Sequence, residues 1–271
     1  MRDTFEVAGG SVVGTHHIQP LRWTNNQDAF CFESTPTVTA AIVCDGCSSA
    51  EHAEIGAHIA TRFLTNRLIT LCEQRPNDDL DRIIKEARHE LIIQLDDCIR
   101  VLGGSYRHTL FEYGLFTVVG AIITRDKTIT FSIGDAHLFV NGDHCIAGPF
   151  PDNKPPYLAY ALVRTEIDEA LTRVHIHHQL PTSEVQTVLI GTDGLSDFIA
   201  KSDISLPGKA ELLGPIAQFW EQDRYFANPD MIRRRLALAN RAIGDYPGLL
   251  TDDTTLITIR RKGGEPLCMS G

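Results

Sequence analysis

Aspartates lie at the ends of several apolar segments of this sequence. The positions are Asp28, Asp45, Asp135, Asp193 and Asp252. Carboxylate oxygens are the ligands that Mg²⁺ and Mn²⁺ prefer in proteins. Two such ions about 3.5–4 Å apart can activate one water molecule and hold a phosphoryl oxygen. If these segments meet at one end of a sheet, the pattern favours metal-dependent hydrolysis of phosphate esters.

The two Asp-Gly pairs also have a simpler interpretation, because Asp-Gly is a common turn sequence. Asp45-Gly46 and Asp193-Gly194 each follow an apolar run directly, and Asp252 precedes the last such run. This repetition favours a shared metal site. On spacing alone, turns without a metal stay an open alternative.

The run Val38–Cys44 and the helical pattern after it must position Asp45. The apolar and β-branched residues of the run predict a buried strand. Gly46 lets the backbone turn and approach a ligand closely. Apolar residues then recur every three or four positions in 55–71 and again in 80–102, which predicts two consecutive antiparallel helices.

Most of the remaining sequence is strand-like. Further strands are predicted at 11–17, from 28 onward, and at 116–123, 128–135, 173–180, 185–192 and 254–260. Asn141-Gly142 between two strand-like halves predicts a type I′ hairpin. Strands and helices are segregated along the chain rather than alternating. The sequence therefore predicts an α+β fold of mostly antiparallel sheets with helices outside.

Composition restricts the function further. The net charge of −10 argues against nucleic-acid binding, and no apolar stretch is long enough to span a membrane. The sequence has seven cysteines, an odd number, and its N-terminus carries no secretory signal. These features indicate a reducing cytoplasm rather than disulfides. We expect one domain over residues 1–262 and a disordered tail over 263–271.

Two other motifs could bind metal. Cys44-Asp45-Gly46-Cys47 has the spacing of a redox or zinc pair, but a second pair is absent, so a simple turn is preferred. His175, His177 and His178 could indicate zinc, with His175 and His177 on one strand face. No acidic or cysteine partner stands out at a fitting spacing, which favours a solvated strand face.

Six segments together resemble the PP2C-type (PPM) metal-dependent protein phosphatases, and in particular the bacterial PP2C-like branch. In order they are NNQDAF, AAIVCDGCSSAEHAEIGA, FTVVGAIIT, FSIGDAHLFV, VLIGTDGLSDFI and TDDTTLITIRR. The resemblance runs from about Gly14 to Arg261. It implies a β-sandwich of two antiparallel sheets flanked by pairs of antiparallel helices, in α-β-β-α layers. It also implies two Mn²⁺ or Mg²⁺ ions at one end of the sandwich.

The same resemblance implies roles for the residues at that end. Asp45 would bridge the two ions, and the carbonyl of Gly46 would join one of them. Asp193 and Asp252 would complete the other. Asp28 would hold metal-bound waters.

The sequence departs from the family pattern at several positions. Gln27 replaces a metal-binding glutamate and would be a weaker ligand. Trp23 stands in place of a phosphate-binding arginine, which Arg22 could replace only if the local backbone is irregular. Cys47 stands where some members have a histidine. His137 replaces an arginine beside Asp135, the residue expected next to a third ion.

The resemblance implies a phosphoserine/phosphothreonine protein phosphatase in which a metal-bridging water or hydroxide attacks the phosphoryl group. The partner would be a phosphorylated protein that a Ser/Thr kinase supplies, and we expect a cytoplasmic, signalling monomer. One alternative is a phosphatase-fold regulatory or binding module with weak or no catalysis. Another is a phosphohydrolase that acts on small molecules.

Overall fold

The computed structural model describes residues 1–18, 25–163, 172–244 and 246–263. Within these ranges the strands are β1 (Phe5–Val12), β2 (Ala29–Ser34), β3 (Thr39–Cys44), β4 (Val118–Ile123), β5 (Lys127–Ile133), β6 (Ala136–Val140), β7 (Asp143–Ala147), β8 (His175–Pro181), β9 (Thr187–Gly191) and β10 (Thr254–Arg261). The helices are α1 (Ala53–Gln74), α2 (Leu80–Leu102), α3 (Tyr106–Tyr113), α4 (Leu195–Ala200), α5 (Gln218–Glu221), α6 (Arg224–Ala227) and α7 (Met231–Ala239).

The strands form two five-stranded antiparallel sheets. One has the order β1-β10-β9-β6-β7 and the other β2-β3-β4-β5-β8. Helices α1 and α2 cover the outer face of the second sheet, and α4 to α7 pack on the first. A third apolar cluster fills the space between the sheets. The predicted α+β architecture of two antiparallel sheets with helices outside is confirmed.

Strand β3 lies at the centre of this packing, and all six of its residues are buried. Alternation sends Ala40 and Ile42 toward α1, whereas Ala41 and Val43 face the other sheet. Because both faces are covered, the strand is a continuous apolar run rather than an alternating one. It therefore holds the residue that follows it in a rigid position.

Helices α1 and α2 are antiparallel neighbours, as predicted. Arg67 of α1 pairs with Glu90 of α2, and Arg75, just past the end of α1, pairs with Glu86 at 2.7 Å. Arg67 precedes Arg75 along the chain, whereas the partner of Arg67, Glu90, follows the partner of Arg75, Glu86. This reversed order is what an antiparallel pair of helices requires. The glycine after α2, Gly103, has a φ of 76° and ends the helix.

The predicted β6–β7 hairpin is confirmed. Asn141 and Gly142 have φ values of 54° and 88°, the left-handed conformation that a type I′ turn requires at both positions. The Asn141 side chain also accepts a hydrogen bond from the main-chain nitrogen of Gln186 at 2.7 Å. The turn is thus attached to the segment that leads into β9.

The first strand differs from its prediction, since it covers Phe5–Val12 rather than residues 11–17. The chain leaves the sheet at Gly14, where an added Cβ would lie 2.3 Å from the carbonyl carbon of Asp252. His16 and His17 therefore belong to a turn.

Helix α3 was not predicted. None of the helices in the described ranges is both long and apolar enough to cross a bilayer.

The expected division into one domain over residues 1–262 and a disordered tail over 263–271 stays a prediction. Residues 264–271 of the expected tail lie outside the described part of the chain, as does the segment 19–24. That segment contains Arg22 and Trp23.

Candidate active site

Asp45 continues directly from β3, and Thr117 holds its backbone through two hydrogen bonds. Its carbonyl accepts a hydrogen bond from Thr117 N at 2.8 Å, and its own N–H donates to the Thr117 hydroxyl at 3.3 Å. A Cβ added to Gly46 would lie 2.5 Å from the carbonyl oxygen of Gln27. Only glycine lets the turn after Asp45 approach the start of β2 this closely.

Asp28 lies beside Asp45, because Ala29 of β2 pairs with Cys44 of β3. Its side chain is 3% exposed, and one carboxylate oxygen accepts a hydrogen bond from the Thr192 hydroxyl at 3.0 Å. The other oxygen is buried and has no hydrogen-bond partner among the described residues. Burial, and then the charge of Asp253, raise the pKa of Asp28 well above its usual value.

Asp193 and Asp252 come from neighbouring strands. Asp193 follows β9 and Asp252 precedes β10, with Thr192 N donating to Thr255 O at 3.0 Å between them. Burial raises the pKa of Asp193 to about 7, and the charges of Asp252 and Asp135 contribute to this shift. The two half-buried carboxylates therefore lie close enough for the charge of Asp252 to act on Asp193.

The charge of Asp45 is coupled to the whole group. Burial raises its pKa well above the usual value, and so do the charges of Asp28, Asp193, Asp252 and Asp135, in decreasing order. Like charges so close together disfavour simultaneous ionisation. The structure therefore places all five predicted aspartates at the same end of the sandwich.

Asp253 is a site residue to which the sequence interpretation gave no separate role. It is 2% exposed, and its carboxylate accepts N–H groups from Gly14 and from Gln27, each at 2.6 Å. One of its oxygens also lies 2.9 Å from Nδ1 of His17. Asp253 thereby ties β10 to the end of β1 and the start of β2. The doubled aspartate before the last strand was its only sequence signal.

Gln27 occupies the position of the expected glutamate and is 1% exposed. Its amide nitrogen donates to the carbonyl of Ala50 in the turn after Asp45. Its amide oxygen is buried without a hydrogen-bond partner in the described chain. A neutral, buried amide oxygen therefore stands next to Asp28 in the sequence where the family has a carboxylate.

His137 is buried, with Nε2 at 2.8 Å from the Ser196 hydroxyl and Nδ1 at 2.9 Å from Nε2 of His144. Burial lowers the pKa of His137 to about 4, so the ring is neutral at pH 7. It cannot supply the charge of an arginine at this position.

The two cysteines of the Cys-x-x-Cys segment differ in burial. Cys44 is fully buried in the layer below α1. Cys47 lies in the turn, with Sγ at 3.1 Å from the Ser49 hydroxyl. Both thiols are free, and no three metal-binding side chains of the described chain cluster around them, which gives no support to a shared redox or zinc pair. Arg22 and Trp23 lie outside the described residues.

The residues fit a hard divalent cation in chemistry and in location. The donors are oxygens, and buried oxygens of Asp28, Asp135 and Gln27 have no hydrogen-bond partner within the described ranges. A cation would relieve the repulsion that raises the carboxylate pKa values. As placed, no three His, Cys, Asp or Glu side chains of the described chain meet around one point at ligand distance. Ion binding would therefore require side-chain rotation.

Comparison with known proteins identifies the family. The profile described as "Protein phosphatase 2C" matches residues 13–232, which is most of the chain. No curated protein is significantly similar to this sequence.

Several solved phosphatases share the fold. The serine-threonine phosphatase 2C from Toxoplasma gondii has a TM-score of 0.59 at 14% identity, covering 96% of this chain and 95% of that one. The serine/threonine phosphatase PstP/Ppp from Mycobacterium tuberculosis has a TM-score of 0.52 at 14% identity, with 95% and 98% covered. Stp1 from Staphylococcus aureus has a TM-score of 0.50 at 14% identity, with 96% of each chain covered. On the family match over 13–232, this chain belongs to the protein phosphatase 2C family.

Proposed function

We propose that this protein is a metal-dependent phosphatase that removes phosphate from phosphoserine and phosphothreonine residues of proteins. The observation that carries the proposal is the position of the half-buried Asp45 among four other aspartates. Such a group is costly in a metal-free protein at neutral pH and becomes favourable around divalent cations. Membership of the protein phosphatase 2C family supports the choice of substrate.

The aspartates divide into two sets by their surroundings. Asp45, Asp193 and Asp252 are half-buried and reach solvent, so we assign them to the ions together with the carbonyl of Gly46. When bound, Mn²⁺ or Mg²⁺ would supply a nucleophilic water at neutral pH and neutralise phosphoryl charge. Two ions are proposed, with a third beside Asp135.

The remaining polar groups would orient the site. Asp28 is fixed by the Thr192 hydroxyl and keeps one free oxygen, which suits a hydrogen bond to a metal-bound water. Gln27 is assigned as a weak ligand through its buried amide oxygen. Asp253 would keep the segments that carry these groups in position. Arg22 remains the proposed contact to the phosphate.

The test is phosphate release from a phosphothreonine peptide with Mn²⁺, with Mg²⁺ and with EDTA. We expect release that needs a divalent cation and that falls by at least about 100-fold in Asp45→Asn, because a ligand charge is lost. The exposed Asp97→Asn on α2 is the matched control. Activity that ignores EDTA or survives Asp45→Asn would refute the metal proposal.

Two other outcomes would favour the alternative functions. Tight ion binding without hydrolysis would favour a regulatory module, for which the buried Gln27 in place of an acidic ligand is the motivating observation. Faster hydrolysis of a nucleotide or a phosphotyrosine peptide would favour a different substrate class.

A further inference from the structure

Strands β7 and β8 are the last strands of their two sheets. They lie on the same side of the sandwich, because a side-chain contact joins Cys145 of β7 to His177 of β8. Cys145 pairs with Leu138, which belongs to the cluster between the sheets, so the thiol faces inward from β7. Across from it, β8 carries the sequence His175-Ile176-His177-His178.

A β-bulge in β8 changes the direction of these histidines. Thr130 of β5 pairs with His178 and Phe131 pairs with Ile176, so His177 is an extra residue in the register. His177 Nε2 lies 2.9 Å from the Ser132 hydroxyl, and His178 Nδ1 lies 2.7 Å from the Thr130 hydroxyl. Strict alternation would place adjacent histidines on opposite faces, whereas the bulge turns both toward the inner face.

The hydrogen bonds of Ser132 indicate which nitrogen of His177 carries the proton. The single hydroxyl proton of Ser132 is donated to the carbonyl of Gly134 at 3.2 Å. The hydroxyl must then accept from Nε2–H of His177, which leaves the lone pair on Nδ1. That nitrogen lies 3.7 Å from Sγ of Cys145.

This separation suits two ligands of one tetrahedral ion. With Zn–S near 2.3 Å and Zn–N of about 2.0–2.1 Å, tetrahedral geometry puts the two ligand atoms about 3.6 Å apart. A hydrogen bond from the outer ring nitrogen to a fixed acceptor is the usual way in which a ligating histidine is oriented. Ser132, which is 1% exposed, supplies this bond to His177.

We propose that Cys145 and His177 are the first two ligands of a second metal site, for Zn²⁺ or a similar borderline ion, and that His178 is the third. Thiolate and imidazole ligands select such ions, whereas the oxygen ligands at the aspartate end select Mg²⁺ or Mn²⁺. On binding, the ion replaces the thiol proton, which leaves to solvent. The bound ion would join the two edge strands of the sandwich.

Side-chain movement completes the site. No three potential ligands of the described chain meet at one point as placed, so His178 must rotate away from Thr130 to reach the ion. Asp143 lies two residues before Cys145 and therefore on the same face of β7, and its negative charge acts on His178. In the sequence, these histidines have no cysteine or acidic partner at a fitting spacing, which favours a solvated strand face over zinc. The fold brings both partners from the other sheet.

Cobalt absorption tests the proposal on the full chain. Co²⁺ bound by a thiolate gives a sulfur-to-cobalt charge-transfer band in the near ultraviolet, and Co²⁺ held by oxygen atoms does not. We expect this band in the wild type and in Asp45→Asn, and its displacement by Zn²⁺. Cys145→Ser and His177→Gln should abolish it, while Cys98→Ser on α2 should retain it.

Ser132→Ala provides a second, milder variant. It keeps both ligands but removes the hydrogen bond that orients His177, so the band should persist with about 10–100-fold weaker Co²⁺ affinity. A wild type without the band, or a band that survives Cys145→Ser, would overturn the proposal. A band lost in Cys47→Ser instead would assign the thiolate to the aspartate end and would also overturn it.

Discussion

Asp253 shows how one buried carboxylate can organise a site without itself being a proposed ligand of the ions. Two main-chain N–H groups, of Gly14 and Gln27, donate to it at 2.6 Å each. These residues belong to segments more than 200 positions away along the chain. The carboxylate therefore replaces the backbone pairing that these turns lack.

Asp253→Ala should destabilise the protein strongly. It leaves two buried N–H groups unpaired, each costing about 1–3 kcal/mol. Asp253→Asn retains one acceptor oxygen and should lose about half as much. The free energy of unfolding in urea measures both. An effect of Asp253→Ala as small as that of the exposed Asp97→Asn would contradict this role.

Asp193 predicts a pH dependence of stability in the metal-free protein. Its pKa rises from 3.8 to about 7 on folding. Between about pH 4 and pH 7 the folded protein thus keeps a proton that the unfolded chain has lost. The contribution of this group to the free energy of unfolding must then fall as the pH rises through that window, and stay low above it.

The comparison with Asp193→Asn isolates this contribution. Buried histidines act in the opposite direction, since the lowered pKa of His137, about 4, makes stability rise with pH up to about pH 6.5. Melting temperatures of metal-free wild type and Asp193→Asn should therefore diverge, with the variant gaining as the pH rises from 4 to 7. Parallel curves would show that the pKa of Asp193 is not raised.

At the scale of elements, the α1–α2 layer is stabilised by apolar burial far more than by its ion pairs. Leu68 of α1 is completely buried in the apolar cluster that α1 and α2 form with the second sheet. The Arg67–Glu90 pair is about one third exposed on each side chain. Partly exposed pairs contribute about 0–1 kcal/mol, whereas Leu→Ala in a core costs about 2–5 kcal/mol.

Urea unfolding should therefore rank Leu68→Ala well below Arg67→Ala in stability. We expect a loss of about 2–5 kcal/mol for the first and of at most about 1 kcal/mol for the second. Equal losses would mean that the ion pair is a main determinant of helix packing.

Local sequence patterns predicted most helices and strands. They failed where contacts between distant parts of the chain determine the structure. The periodicity of 55–71 and 80–102 and the Asn141-Gly142 turn needed only neighbouring residues. The end of β1 was predicted at the wrong position, because it depends on the close contact between Gly14 and the backbone of Asp252. The bulge at His177 also escaped prediction, since it depends on the register with β5.

At the scale of the whole molecule, the two sheets bring together aspartates that are far apart in sequence. Each of Asp45, Asp193 and Asp252 follows or precedes a central strand, and adjacent antiparallel strands alternate in direction. The pattern of aspartates at strand ends was visible in the sequence. Their convergence depends on strand order, and the role of Asp253 on contacts between distant turns, so neither was readable locally.

The central claim is that the aspartates around Asp45 hold divalent cations. Calorimetric titration of the metal-free protein with Mn²⁺ tests it most directly, because Mn²⁺ favours the oxygen ligands of this site over thiolate. At least two ions should bind to the wild type and to Asp97→Asn. Asp45→Asn should bind fewer ions, or bind them at least about 10-fold more weakly, because the proposed bridging charge is lost. Unchanged binding of two ions by Asp45→Asn would contradict the account.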